Sequence, residues 1–138
     1  MIKFVAAAAA AALLLSPLGA GAQTPAPPPA YGLGISFDAA KKALAAAEAE
    51  AKKNNWPVAI AIGKAVTANN LRRPTKALQD GIAQGGVNLR LLAVPGVMPL
   101  EGGVPIVVDG KIIGAIGVSG VASDQDAQVA MAGAAAAK

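Results

Sequence analysis

The sequence predicts a small mixed α/β domain organised around one β-hairpin. Two runs rich in valine and isoleucine flank Asp109-Gly110, a dipeptide that tolerates the positive φ angles of a type I′ hairpin turn. Before the hairpin, residues 37–53 carry apolar side chains at helical spacing, and after it residues 124–137 are mostly alanine. Helical segments on both sides of a hairpin indicate a mixed α/β domain.

The two-residue turn of the hairpin sets the register of its strands. The predicted strands are residues 104–108 and 111–118. Val107 is expected to face Ile112, and Ile106 to face Ile113. Both faces of this pair are apolar, whereas a sheet with one solvated face alternates apolar and polar residues. Both faces are therefore expected to be covered, one by helices of this chain, with a second subunit as the candidate cover for the other.

The first 22 residues have the pattern of a secretory signal peptide. Lys3 supplies a positive start, residues 4–15 are apolar, and Ala20-Gly21-Ala22 is an A-x-A cleavage site. The apolar run is shorter than the ~20 residues that a membrane span needs. We therefore expect cleavage before Gln23 and a mature protein that is periplasmic or secreted, without a membrane partner.

A proline-rich stretch separates this leader from the domain. Residues 23–34 contain four prolines and predict an extended linker. The folded domain is then expected over residues 35–138. A domain of about 100 residues buries a smaller fraction of its surface than a larger domain does, which favours a homo-oligomer.

The composition excludes several classes of site. The chain has no cysteine and no histidine, so disulfides, His–Cys zinc sites and Ser-His-Asp triads are excluded. Its net charge of +4 is scattered, and it has one tryptophan, one tyrosine and two phenylalanines. A nucleic-acid surface needs a basic stripe with stacking aromatics, so no nucleic-acid partner is expected.

The first half of the domain predicts one helix and one strand. Ser36 is a suitable N-cap for the helix over residues 37–53. Its predicted apolar stripe consists of Ala40, Leu44, Ala47 and Ala51. After Pro57, the apolar run at residues 58–62 predicts a buried strand, and Trp56 is expected to pack at its entrance.

The second half predicts two further helices around the hairpin. A helix is expected over residues 75–82, and the apolar residues 87–100 predict a packed loop that is partly strand. Asp126 is expected to complete the capping box of the last helix. Gly114 and Gly117 would let that helix approach the sheet closely.

The residues from Gly102 to Gly120 are GGVPIVVDGKIIGAIGVSG, and they are followed by SDQD and an alanine-rich helix. This pattern resembles the GlcG/HbpS haem-binding family. The resemblance covers nearly all of residues 35–138 and includes Arg73-Pro74-Thr75. It implies a profilin-like α/β fold, with an antiparallel sheet, helices on one face and assembly into oligomers. It also implies that some members bind haem (heme) or a related tetrapyrrole or corrinoid, while others accompany glycolate or propanediol enzymes.

The chain departs from this family after Ile62. Relatives continue with a turn, a second strand and the start of the next helix, whereas this chain passes directly to Gly63-Lys64-Ala65. About twenty residues are thus expected to be absent, which removes one strand and leaves an exposed sheet edge.

Four residues cluster at the predicted start of the second helix. They are Arg72, Arg73, Thr75 and Lys76. Helix N-termini attract anions and arginine binds carboxylates through paired hydrogen bonds, so this cluster is a candidate site for a haem propionate. The alternatives are a solvated basic turn and a salt bridge from this cluster to Asp80.

The remaining candidate cofactor-binding residues are Met98, Glu101, Gly102 and Gly103. Haem iron takes His, Met, Cys or Tyr ligands, which leaves Met98, Met131 and Tyr31, or the oxygen of Thr75. For Met98 and Met131, gap-filling in the core is expected ahead of iron ligation. Glu101, beside two glycines, is a candidate acid or base in a cleft.

These features predict an exported, non-catalytic protein that binds haem or a related tetrapyrrole or corrinoid as a carrier, scavenger or sensor accessory. One alternative is a small enzyme or accessory of glycolate- or propanediol-type metabolism that uses Glu101, Arg73 or Lys111. The absence of histidine and cysteine weighs against that enzyme. The other alternative is an oligomeric protein-interaction module.

Overall fold

A computed structural model describes residues 26–138 of the chain. The predicted signal peptide and the start of the predicted linker lie outside these residues. The elements in order are β1 (Ala30–Tyr31), α1 (Phe37–Lys53), β2 (Ala59–Ile60), α2 (Ile62–Asn70), α3 (Thr75–Ala83), a 3₁₀ helix (Gly86–Ala93), β3 (Gly103–Val108), β4 (Lys111–Ser119) and α4 (Ser123–Ala136). The mixed α/β class is therefore confirmed.

The central hairpin forms as its turn chemistry predicts. Asp109 and Gly110 have φ angles of 49° and 72°, as a type I′ turn requires. The two residue pairs next to the turn have the predicted register. Beyond them, Ile106 pairs with Gly114 instead of Ile113, so that part of the register prediction was wrong. The register shifts because Ile113 is an extra residue on β4, as in a β-bulge.

The β4 strand lies at the centre of a four-stranded sheet. β3 pairs along one of its edges, and β1 and β2 pair with the two ends of the other edge. Because β1 is parallel to β4, the sheet is mixed and not wholly antiparallel. β1 also brings Ala30 and Tyr31 of the expected linker into the sheet, since an extended backbone can join a free edge without rearrangement.

Helices cover both faces of the hairpin, not one face as the resemblance implied. Ile116 points to α4, where a Cβ at Gly133 would lie 2.6 Å from its Cδ1 atom. The next residue, Gly117, points to α2, where a Cβ would lie 2.6 Å from the Ala65 nitrogen. Successive strand residues face opposite sides, so helices of this chain lie against both faces. Gly117 therefore allows α2 to pack closely on the sheet. The close approach of α4 to the sheet depends instead on Gly133 of α4 itself.

The core forms where α1 and α4 pack against the sheet. Its members are the buried Ile106, Ile116, Val118 and Val129 and alanines of both helices. α1 has the predicted bounds, and Ser36 accepts a hydrogen bond from the Ala39 N–H. Its buried stripe runs through Ala43, Ala47 and Ala51, whereas Leu44 is 41 % exposed. The predicted stripe was therefore shifted, because small residues on both helices favour close packing along the alanine face.

Two other segments differ from their predictions. The strand expected over residues 58–62 is only Ala59–Ile60, since within the described residues only the end of β4 pairs with it and α2 begins at Ile62. The segment expected as a packed loop with some strand is a 3₁₀ helix followed by turns. Most of its apolar side chains are exposed, with Val87 at 76 % and Leu92 at 65 %.

Candidate ligand-binding site

The backbone separates the two arginines of the predicted basic cluster. Arg72 has a φ angle of 53°, and its guanidinium lies 5.7 Å from the centroid of the Tyr31 ring. Arg73 turns the other way. Its Nε atom donates a hydrogen bond to the Leu71 carbonyl (3.1 Å), and its side chain lines a surface hollow. Of the two adjacent arginines, Arg73 therefore lies beside a space that could hold a ligand.

This hollow lies between α3 and the 3₁₀ helix and has a volume of about 210 Å³. It is lined by Leu71, Arg73, Leu78, Asn88, Arg90 and Leu91, and we call these residues the two-arginine hollow. Two guanidinium groups and one amide supply hydrogen-bond donors, and three leucines supply apolar surface. Such a combination suits carboxylates attached to an apolar body.

Sequence reasoning missed Arg90 and Asn88. The 3₁₀ helix places residues three apart on one side, so Asn88 and Leu91 face α3 together. The amide of Asn88 packs over Gly81, where a Cβ would lie 3.6 Å from its Cγ atom. The three-residue spacing of Asn88 and Leu91 could have indicated this arrangement. It was missed because the segment was expected to be partly an extended strand.

Three of the predicted cofactor-binding residues are buried contacts between elements and do not line the two-arginine hollow. They are Thr75, Gly102 and Gly103. Thr75 is fully buried, and its hydroxyl accepts a hydrogen bond of 2.9 Å from the Gly103 N–H. Gly102 has a φ angle of 120°, and a Cβ there would lie 2.9 Å from the Lys64 Nζ atom. These residues pack the start of β3 against α2 and α3, so their role in the structure is to connect these elements.

Lys76 and Glu101 belong to a small charge network. The Lys76 ammonium lies 2.9 Å from Asp80 and 3.9 Å from Glu101, so the expected alternative salt bridge to Asp80 is present. The hydrogen bond to Asp80 is the main cause that raises the pKa of Lys76, and the Glu101 charge adds to it. The Glu101 N–H also donates to the Gln79 side chain at 2.9 Å. With its charge balanced by carboxylates, Lys76 is a weaker anion ligand than Arg73.

The candidate iron ligands are not brought to the hollow. Met98 is 42 % exposed and its N–H donates to the Thr67 hydroxyl at 2.8 Å, while Met131 is 54 % exposed. The expectation that these methionines fill gaps in the core was therefore wrong, since half-exposed side chains fill none. The Tyr31 hydroxyl donates to the Asn69 carbonyl at 2.8 Å.

A buried ion pair joins α2 to α4. The Lys64 ammonium lies 2.8 Å from an Asp126 carboxylate oxygen, and the two side chains are 4 % and 3 % exposed. The other oxygen of Asp126 accepts from the Val121 N–H at 3.2 Å. Asp126 is therefore not the capping-box residue that we expected. Gln125 takes that part, because its side chain accepts from the Ala122 N–H at 3.3 Å.

A family model described as "Haem degrading protein HbpS-like" matches residues 59–135. The chain belongs to the HbpS-like family. This HbpS-like protein is also 40 % identical over 94 residues to the protein GlcG of Escherichia coli K12, a match that covers 50 % of this chain and 69 % of GlcG.

Solved structures share the fold of this HbpS-like protein. The crystal structure of HbpS matches with a TM-score of 0.68 and 30 % identity, over 75 % of this chain and 90 % of that one. The PduOC–heme complex matches with a TM-score of 0.68 and 24 % identity, over 75 % and 95 % of the two chains. At 24 % identity, the match to the PduOC–heme complex shows only that the two proteins share a fold.

The GlcG alignment also bears on the expected deletion. The alignment spans 94 positions, yet it covers half of this HbpS-like chain, which is about 69 of its 138 residues. About 25 positions of the alignment therefore have no residue of this chain. The size of this gap agrees with the stretch expected to be absent after Ile62, where α2 begins almost directly after β2.

Among residues 26–138, none of the helices combines the length and the apolarity that crossing a bilayer requires.

Proposed function

We propose that this protein binds haem, or a related tetrapyrrole that carries carboxylates, and acts as a non-catalytic carrier, scavenger or sensor accessory. The observation that carries the proposal is the two-arginine hollow, where Arg73 and Arg90 line one space together with three leucines. The family description, which names haem, supports it. So does the bound heme of PduOC, a protein of the same fold.

The two-arginine hollow fits the carboxylates of such a ligand, whereas its ring would need a different surface. The hollow, at about 210 Å³, is smaller than the roughly 300–1,000 Å³ of a pocket that encloses a drug-sized ligand. It therefore suits the carboxylates, which Arg73 and Arg90 would hold by charge-assisted hydrogen bonds. The ring would rest on the apolar surface that the 3₁₀ helix exposes at Val87, Leu89 and Leu92.

The iron of haem has no histidine or cysteine to bind in this chain. Bound haem would supply the visible Soret absorption by which binding is followed. Recognition by this chain would then depend on the carboxylates and on apolar contact. Arg73 and Arg90 orient the ligand at its charged edge, and the leucines exclude water from the adjoining part of the ring.

The experiment is a titration of hemin into the protein that begins at Gln23, followed by the Soret band. We expect a saturable shift in the wild type. Arg73→Gln and Arg90→Gln should each raise Kd by about tenfold or more, because a hydrogen bond to a charged group contributes about 1.5–3 kcal/mol. Arg72→Gln is the matched control, since Arg72 stacks on Tyr31 outside the hollow, and it should leave Kd unchanged.

Two outcomes would overturn this proposal. The first is the absence of any saturable Soret shift in the wild type. The second is an equal loss of affinity in Arg72→Gln and Arg73→Gln, which would mean that general positive charge, and not the hollow, attracts hemin.

We also propose that the protein is exported. The support is the pattern of residues 1–22, with a lysine, an apolar run and an A-x-A site. Amino-terminal sequencing of the protein from the extracytoplasmic fraction should begin at Gln23. Recovery of the chain from the cytoplasm with residues 1–22 still attached would contradict export.

Haem turnover is a second candidate function, which the family's description as haem degrading favours. Incubation of the hemin complex with a reductant and oxygen tests it. A first-order loss of the Soret band beyond the rate for free hemin, abolished in Glu101→Gln, would support turnover. A rate equal to that of free hemin would remove this candidate.

A further inference from the structure

The β2 strand has one edge that is not paired. Within residues 26–138, β2 pairs only with β4, through Ala59 with Ser119 and Ile60 with Val118. The Ala61 N–H donates to the Gly117 carbonyl on the β4 side at 2.7 Å. Because peptide groups of successive residues in an antiparallel strand point to opposite edges, those of Ile60 face away from β4. An unpaired edge of this kind is a template for a further strand.

A groove runs beside this edge, with a volume of about 400 Å³. It is lined by Ala47, Glu48, Ala51 and Lys52 of α1 and by Trp56, Pro57, Val58 and Ile60. Ile60 is 44 % exposed, although a residue of a paired interior strand would be covered. The groove is therefore apolar along its length and carries charge only at Glu48 and Lys52.

We propose that a second copy of this chain covers the groove, with the two β2 edges paired antiparallel about a two-fold axis. The edge is self-complementary, because each copy offers the same peptide donors and acceptors to the other. A two-fold axis uses every contact twice. The strand Ala59–Ile60 is short, so it could bind an unrelated peptide by only a few hydrogen bonds. A two-fold dimer adds the second set of contacts that such a short strand needs.

The charges at the groove match the same symmetry. Glu48 and Lys52 lie one helical turn apart, with a nitrogen–oxygen distance of 3.7 Å. Where two α1 helices lie antiparallel across the axis, Glu48 faces the partner's Lys52 and Lys52 faces the partner's Glu48. This reciprocal pattern favours a second copy over a partner of one charge sign.

The inference does not depend on haem, so its test uses the haem-free protein that begins at Gln23. Light scattering after size exclusion, and sedimentation over a range of concentrations, give the mass and the dissociation constant of the dimer. We expect a dimer in the wild type. Glu48→Lys and Lys52→Glu should each weaken it by about tenfold or more, because like charges then face each other twice. The double exchange, Glu48→Lys with Lys52→Glu, should restore it.

Leu92→Lys is the control, because Leu92 is an exposed apolar residue on the 3₁₀ helix and should leave the dimer intact. Circular dichroism and thermal unfolding verify that each variant is folded, since the single exchanges also remove the salt bridge within α1. A monomeric wild type would overturn the proposal. So would single exchanges that leave the dissociation constant unchanged, a double exchange that fails to restore the dimer in a folded protein, or dissociation by Leu92→Lys alone.

Discussion

The buried pair of Lys64 and Asp126 gives a sharp prediction about stability. Lys64→Met removes the ammonium and leaves the Asp126 carboxylate buried with the Val121 N–H as its remaining partner. Both side chains of the pair are at most 4 % exposed, so solvent does not screen the charge that is left. Breaking such a pair costs about 3–5 kcal/mol. That is a large share of the roughly 5–15 kcal/mol by which a domain is stable.

Urea unfolding at pH 7, followed by circular dichroism, measures this loss. The folding equilibrium should fall by roughly 10²- to 4 × 10³-fold in Lys64→Met, since each 1.4 kcal/mol is about a factor of ten. The double variant Lys64→Met with Asp126→Leu should recover most of the stability, because apolar replacement of a buried pair is often neutral or stabilising.

The control for this prediction is Lys76→Met. Lys76 also pairs with a carboxylate at 2.9 Å, but both of those side chains are more than half exposed. Its loss should cost much less stability than the loss of Lys64, because solvent screens an exposed ion pair. A cost for Lys64→Met no larger than that for Lys76→Met, or a double variant no more stable than the single one, would refute this reasoning.

Three further substitutions test the packing and the helix contacts. Gly117→Val should destabilise by about 1–3 kcal/mol or more, since its side chain would meet the α2 backbone; an unchanged urea midpoint would contradict the packing of α2 on the sheet. Thr75→Val should cost about 1–3 kcal/mol in urea unfolding by leaving the Gly103 N–H unpaired, and a neutral result would argue against that hydrogen bond. Hydrogen bonds from Gln128 and then Asn54 lower the pKa of Glu50 below 4.5, so its contribution is present above pH 4.5 and is lost as the pH falls through the folded pKa. Thermal unfolding between pH 7 and pH 3 should therefore show a smaller decrease in Glu50→Gln than in the wild type, and equal decreases would exclude this role.

The sequence predicts the elements that local chemistry determines. Asp109-Gly110 fixes the hairpin because its residues accept positive φ angles, and Ser36 fixes the start of α1 because its hydroxyl caps the first turn. Both signals act within four residues, so no tertiary contact is needed to interpret them.

Features that tertiary packing determines could not be predicted in this way. The length of β2 depends on the strands available to pair with it, and Lys64 meets Asp126 across 62 positions of the chain. For the candidate site, Arg73 was predicted, but Arg90 was not. Its place beside Arg73 depends on the 3₁₀ conformation of Gly86–Ala93, which the apolar composition of that segment did not indicate.

Recognition of carboxylates by the two-arginine hollow is tested by comparing hemin with its dimethyl ester, which has the same ring and iron but no free carboxylates. We expect the wild type to bind hemin at least about a hundredfold more tightly than the ester, since two charge-assisted contacts each contribute about 1.5–3 kcal/mol. In the variant with both Arg73→Gln and Arg90→Gln, this preference should fall towards one. Equal affinity of the wild type for the two ligands, or an undiminished preference in the double variant, would contradict a site built on the two-arginine hollow.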